Sequence, residues 1–190
     1  MERNHMDTAV YVGDTKGDSD ACKEADIPFI FASYGFGDVP DAKQTIDSFP
    51  ELLNFDFSWI LPKIFFFDID GTYYDQITHR IPDSNIQAVK ALQQQGYKVA
   101  LASARPFSSA IELPVLKDIN WDGIVSAGGQ EVYDEHYQLI EENNFSQNEL
   151  NEIFRIAQKH QIPAYVVGDD NFFTMDSSLL EPFKTRFHLT

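Results

Sequence analysis

The chain has 190 residues, enough for one domain with its own core and at most a small appendage. Acidic residues outnumber basic ones 30 to 14, a formal net charge of −16, which argues against nucleic acid and against an anionic membrane surface as partners. Its one cysteine, Cys22, excludes an intrachain disulfide and a thiolate metal cluster and suits a reducing cytoplasm, and no apolar run approaches the ~20 residues of a membrane span.

Residues 9–12 are a short apolar run that ends at Gly13. A helical pattern over residues 18–25 follows, then a second apolar run over 29–32. Residues 34–44 carry no periodicity, 47–53 read as a helix anchored by Leu52 and Leu53, and 54–62 read as a linker. A third apolar run, 63–67, precedes a helix over 82–95, where Ile86, Val89 and Leu92 recur at helical spacing and Gly96 is a stop signal. Further apolar runs cover 98–102 and 123–125. Short apolar runs bounded by turn residues predict buried parallel strands, and the alternation with helices predicts an α/β sheet.

After Gly128 the texture changes. Residues 131–137 alternate as a strand with a turn. A helix over 146–160 opens on a capping box, Ser146 with Glu149. Residues 162–167 read as a strand, 171–175 as its partner, and Gly168-Asp169-Asp170 as the turn between them.

Three strings carry chemistry. Phe65-Phe66-Phe67-Asp68-Ile69-Asp70-Gly71-Thr72 places two carboxylates just past an apolar strand, where parallel sheets gather ligands. Asp68 could act as nucleophile and Asp70 as acid and base; a turn-capping Asp before Asp-Gly is the plainer alternative. Val12-Gly13-Asp14-Thr15-Lys16-Gly17-Asp18 repeats the pattern, with Asp14 and Asp18 four apart. Their oxygens suit a hard cation such as Mg²⁺, and Asp18 also suits a helix cap. Ala102-Ser103-Ala104-Arg105 ends another strand, where Ser103 could offer a hydroxyl to a phosphoryl oxygen or simply cap a helix.

Together these strings resemble the haloacid dehalogenase superfamily. Asp68-Ile69-Asp70-Gly71-Thr72 looks like its first motif, Ser103 stands in the place of its second, and Asp14 with Asp18 looks like its fourth, the metal-binding motif. Residues 1–54 resemble the C-terminal end of a phosphoglycolate-phosphatase-like member, and 63–190 the N-terminal core and partial cap of a Cof-like member. The order is thus inverted, as in a piece of a tandem fusion or a circular permutant. The resemblance implies a five-stranded parallel Rossmann-like sheet in the family order 5-4-1-2-3, met here in permuted chain order. Residues 1–54 would carry the metal motif with strands four and five, 55–62 the linker, 63–127 the nucleophile motif with strands one to three, and 128–190 a partial α+β cap.

The resemblance also implies a Mg²⁺-dependent, cytoplasmic phosphomonoester hydrolase that works on a small phosphorylated metabolite through an aspartyl-phosphate. Asp68 would be the nucleophile and Asp70 the acid/base. Asp68, Asp14, Asp18 and the backbone of Asp70 would hold the metal. Ser103, with backbone groups of Ala104, Ile69 and Asp70, would hold the phosphoryl oxygens. The family's third motif, a Lys that steadies the phosphoryl charge, has no counterpart here, a loss worth on the order of 10²–10³ in rate. A fragment that binds Mg²⁺ or a partner without turnover, and a phosphomutase or other phosphotransferase, are the alternatives.

Overall fold

The computed structural model describes residues 8–60, 63–160, 164–167 and 172–174. The chain opens with β1 (Ala9–Gly13) and α1 (Lys16–Glu24). Thr15 caps α1: its hydroxyl accepts from the Asp18 backbone N–H, and Asp18 accepts in return from the Thr15 N–H. Such a reciprocal box satisfies two of the amides that a helix start leaves unpaired. Then follow β2 (Phe29–Ala32), a two-residue β3 (Thr45–Ile46) and a 3₁₀ helix (Phe49–Asn54). The 3₁₀ turn replaces the helix expected over 47–53; Pro50, in its first turn, has no N–H to donate.

The second half supplies β4 (Ile64–Phe67), α2 (Asp83–Gln94), β5 (Lys98–Ala102), a four-residue α3 (Phe107–Ala110) and β6 (Ile124–Ser126). After these come β7 (Glu131–Tyr133), β8 (Leu139–Glu142), α4 (Gln147–His160), β9 (Tyr165–Val167) and β10 (Phe172–Thr174). Ser146 caps α4 through Glu149 as its spacing predicts. The last two strands pair antiparallel, and the Gly168-Asp169-Asp170 turn lies outside the described residues.

The sheet corrects the five-stranded parallel expectation. Among the described residues it has eight strands in the order β3-β2-β1-β4-β5-β6-β7-β8 and is mixed. The five expected runs lie side by side within it, in the expected order and all parallel. Three short strands extend the edges. β3 adds to β2 in parallel. Gly128 and Gly129, both at positive φ, reverse the chain after β6, so β7 returns antiparallel and β8 continues the meander.

One face of the sheet holds most of the core. Val10, Val12, Ile30, Phe65, Phe67, Val99, Leu101 and Ile124 pack with Ala88, Val89 and Leu92 of α2 and with Phe49, Leu52 and Trp121. Burying each large side chain fully contributes about 1.5–3 kcal/mol. Within the expected linker, Phe55, Phe57 and Ile60 pack on this core, and Phe57 meets Phe65 edge-on at 5.2 Å. Tyr73 is buried there too. Its hydroxyl lacks a hydrogen-bond partner among the described residues, and nothing in the structure explains that cost. No helix among the described residues is long and apolar enough to cross a membrane.

Candidate active site

The site begins with the pairing of β1 and β4. Their parallel register sets Val12 beside Phe67, and the Asp68 N–H donates to the Val12 carbonyl at 3.0 Å. Asp14 and Asp68 therefore leave adjacent strand ends, although 54 positions separate them in the chain. Ser103 leaves the end of β5, on the other side of β4.

The turn after Asp68 is tight. Tyr73 N–H donates to the Asp68 carbonyl, Tyr74 N–H to the Ile69 carbonyl and Gly71 N–H back to the Tyr74 carbonyl. The Ile69 amide also donates to the Asp68 carboxylate. Gly71 sits at φ +88, and a Cβ there would stand 2.6 Å from both Asp14 Oδ2 and the Phe36 ring. Glycine is required on both counts.

Asp14 is fully buried. Its Oδ2 accepts from the Phe36 N–H at 2.6 Å and its Oδ1 from the Thr72 hydroxyl at 3.4 Å. The Phe36 amide belongs to the aperiodic 34–44 stretch, which folds over Asp14. Gly37 N–H donates to the Asp14 carbonyl, and the Tyr34 hydroxyl reaches the Thr72 carbonyl at 3.1 Å. Burial, opposed by the Phe36 amide and helped by the Asp18 charge, raises Asp14 above the ordinary carboxylate range. Asp68 is pushed well above it, first by burial and then by the charges of Asp18, Asp14 and Asp70.

The other predicted residues are placed differently. Asp18 is engaged locally: Oδ2 accepts from the Thr15 N–H and hydroxyl at 2.9 and 2.7 Å. The Asp70 carboxylate faces the β5 loop. Arg105 donates to it twice, Nε to Oδ2 at 2.6 Å and Nη2 to Oδ1 at 3.0 Å, and Gln76 Nε2 donates to Oδ1 at 2.5 Å. Arg105 is 3% exposed and Asp70 23%. Ser103 is buried; its hydroxyl accepts from the Arg105 N–H at 3.1 Å, and its own N–H is spent on the Val125 carbonyl. Ala104 is exposed beside it, and Ile69 is fully buried. Cys22 is buried in α1, its thiol pushed up to about 12 by burial and the Asp18 charge, as befits a packing residue.

Asp14 and Asp68 fit a hard divalent cation. Among the described residues no three His, Cys, Asp or Glu side chains are grouped to hold an ion alone. Mg²⁺ keeps several waters and commonly takes only one or two carboxylates plus a phosphate. A buried carboxylate pair in which burial and the Asp18 charge lift both groups, and the Asp14 charge lifts Asp68 further, is a donor set that a cation relieves. Arg105, Gln76, Thr72 and the Tyr34–Gly37 loop escaped the sequence reading. Only the glycine alternation of that loop hinted at close backbone approach.

A profile of the haloacid dehalogenase-like hydrolases matches residues 65–189. The chain belongs to this family. YkrA of Bacillus subtilis (strain 168), a protein named as a phosphatase, is 34% identical over 108 residues, 57% of this chain and 40% of that protein. The sugar phosphatase BT4131, of subclass IIB of the same superfamily, superposes with a TM-score of 0.56 at 29% identity, over 67% of this chain and 50% of its own. BT1666 from Bacteroides thetaiotaomicron shares the fold at a TM-score of 0.57 and 19% identity, over 69% of this chain and 50% of its own. The chain thus spans about half the length of these solved relatives. The profile match begins after β1, so the placement of Asp14 and Asp18 rests on the β1–β4 pairing.

Proposed function

We propose that this haloacid dehalogenase-like chain is a Mg²⁺-dependent phosphomonoester hydrolase acting on a small phosphorylated metabolite. The observation that carries the proposal is the convergence of Asp14 and Asp68 at neighbouring strand ends, with the Asp68 carboxyl desolvated and pressed by like charge. The names of YkrA and BT4131 point the same way. In a chain this acidic, an anionic ester needs local charge reversal, which Asp14 and Asp68 would arrange by holding Mg²⁺ with the backbone carbonyl of Asp70. Bound there, Mg²⁺ would neutralise phosphoryl charge and return Asp68 to its ionised form.

Asp68 would then attack phosphorus. A bond forms between its carboxylate oxygen and phosphorus, and the bond to the alcohol oxygen breaks. Asp70, entering the step protonated and turned from Arg105, gives that oxygen its proton and later takes one back from the water that splits the aspartyl-phosphate, which frees Asp68 and releases phosphate. Arg105 and Gln76 donate to both Asp70 oxygens and so hold the carboxylate as a proton acceptor; as the acid it would leave that pair. Ser103 would hold a phosphoryl oxygen, turning its hydroxyl from its contact with the Arg105 N–H. The Asp18 carboxylate would act by holding the Asp14 loop through Thr15 and by facing the ion.

Hydrolysis of p-nitrophenyl phosphate, with and without Mg²⁺, tests this reading. Activity should need Mg²⁺ and vanish in Asp68→Asn. Asp70→Asn should slow the first transfer, read as alcohol release in a single turnover, on the order of 10²–10⁴-fold for an alkyl phosphate and far less for the aryl ester, because only the alkoxide needs an acid. Hydrolysis unchanged by Asp68→Asn would refute the mechanism.

A further inference from the structure

Tyr11 lies on the sheet face opposite the main core, between Val10 and Val12, with its ring stacked on Phe29 at 6.5 Å. Its hydroxyl stands 3.3 Å from Asp18 Oδ1 and 3.4 Å from the carbonyl oxygen of Ala102. These acceptors belong to different elements. Asp18 is in the first turn of α1, just after Asp14, and Ala102 ends β5 immediately before Ser103. The ring thus crosses from β1, over β4, to the end of β5. Gly13 makes room for it: a Cβ there would stand 2.7 Å from Tyr11 Cε1 and 2.9 Å from Asp18 Cγ. Burial and the charges of Asp68 and Asp18 raise the phenol above its usual range, so it remains a proton donor throughout working pH.

We propose that Tyr11 is a positioning residue whose hydroxyl ties the Asp14–Asp18 loop to the strand end that presents Ser103. It sets the distance between the carboxylates that take the cation and the hydroxyl that takes the phosphoryl group. The inference rests on the phosphatase reading for the identity of those two partners.

Three chains separate this role from packing: wild type, Tyr11→Phe and Phe29→Leu. Tyr11→Phe keeps the ring and removes the hydroxyl, while Phe29→Leu loosens the stack and keeps the hydroxyl. Mg²⁺ dissociation constants by calorimetry, melting temperatures without metal, and p-nitrophenyl phosphate hydrolysis against Mg²⁺ are measured on each. Tyr11→Phe should weaken Mg²⁺ about tenfold, the scale of groups that orient metal-binding side chains. It should also raise KM more than it lowers kcat. Phe29→Leu should lower the melting temperature and leave the Mg²⁺ constant nearly unchanged. Equal Mg²⁺ constants in wild type and Tyr11→Phe overturn the proposal, as does an equal weakening by Phe29→Leu. A wild type that binds Mg²⁺ without hydrolysis overturns the phosphatase reading alone, and the binding constants still decide on Tyr11. A wild type that binds no Mg²⁺ overturns both.

Discussion

At the residue scale, the carboxylates of the site work against the fold. Asp68 and Asp14 hold protons more tightly in the folded chain than they would unfolded, because burial and neighbouring charges penalise their ionised forms. A group of this kind contributes stability that is full below the unfolded carboxyl range, near pH 4, and is lost as pH rises through its raised folded value. The difference in melting temperature between Asp68→Asn and wild type, without metal, should therefore grow in favour of the variant from about pH 4 toward neutrality. Millimolar Mg²⁺ at neutral pH should close that gap by stabilising the wild type. A difference independent of pH would place Asp68 outside the charged cluster. Asp68 itself was legible in the sequence, since an apolar strand followed by Asp-x-Asp-Gly-Thr leaves few alternatives. Arg105 was not, because its carboxylate partner is 35 positions away and no spacing rule joins them.

The elements divide along the same physical line. Buried parallel strands announce themselves as continuous apolar runs, so β1, β2, β4, β5 and β6 were visible within a residue or two. β3 is two residues long and β8 is wholly exposed, so neither carries an apolar signature. The Tyr34–Gly37 loop carries none either, yet it covers Asp14. Its glycines are there for contact: a Cβ on Gly35 would fall 2.2 Å from the Asp14 Cβ, and one on Gly37 2.2 Å from the Asp14 carbonyl oxygen. Gly35→Ala should displace the loop, remove the Phe36 amide from Asp14 and destabilise the chain by about 1–3 kcal/mol, the range for overpacking a close contact. Urea unfolding gives the stability change. A cost near zero would mean that the loop lies off Asp14 in solution.

On the scale of the whole molecule, the inverted motif order puts β1, from the early part of the chain, inside the sheet. β1 is hydrogen-bonded on both sides, to β2 and to β4, and its Val10 and Val12 lie in the same core as Phe65 and Phe67. Without residues 1–54, β4 would become an edge strand with a row of unpaired backbone groups. The core would lose Val10, Val12, Ile30, Ala32, Ile46, Phe49 and Leu52. An exposed apolar edge of this kind pairs with other chains. A chain beginning at residue 55 should therefore show no cooperative thermal transition and should elute from a sizing column as aggregate, while the full chain melts in one step. A cooperative transition in the shortened chain would mean that residues 55–190 hold their own core and that β1 is an attachment to it. The full chain should also outlast the shortened one in Mg²⁺, because only the full chain brings Asp14 to Asp68.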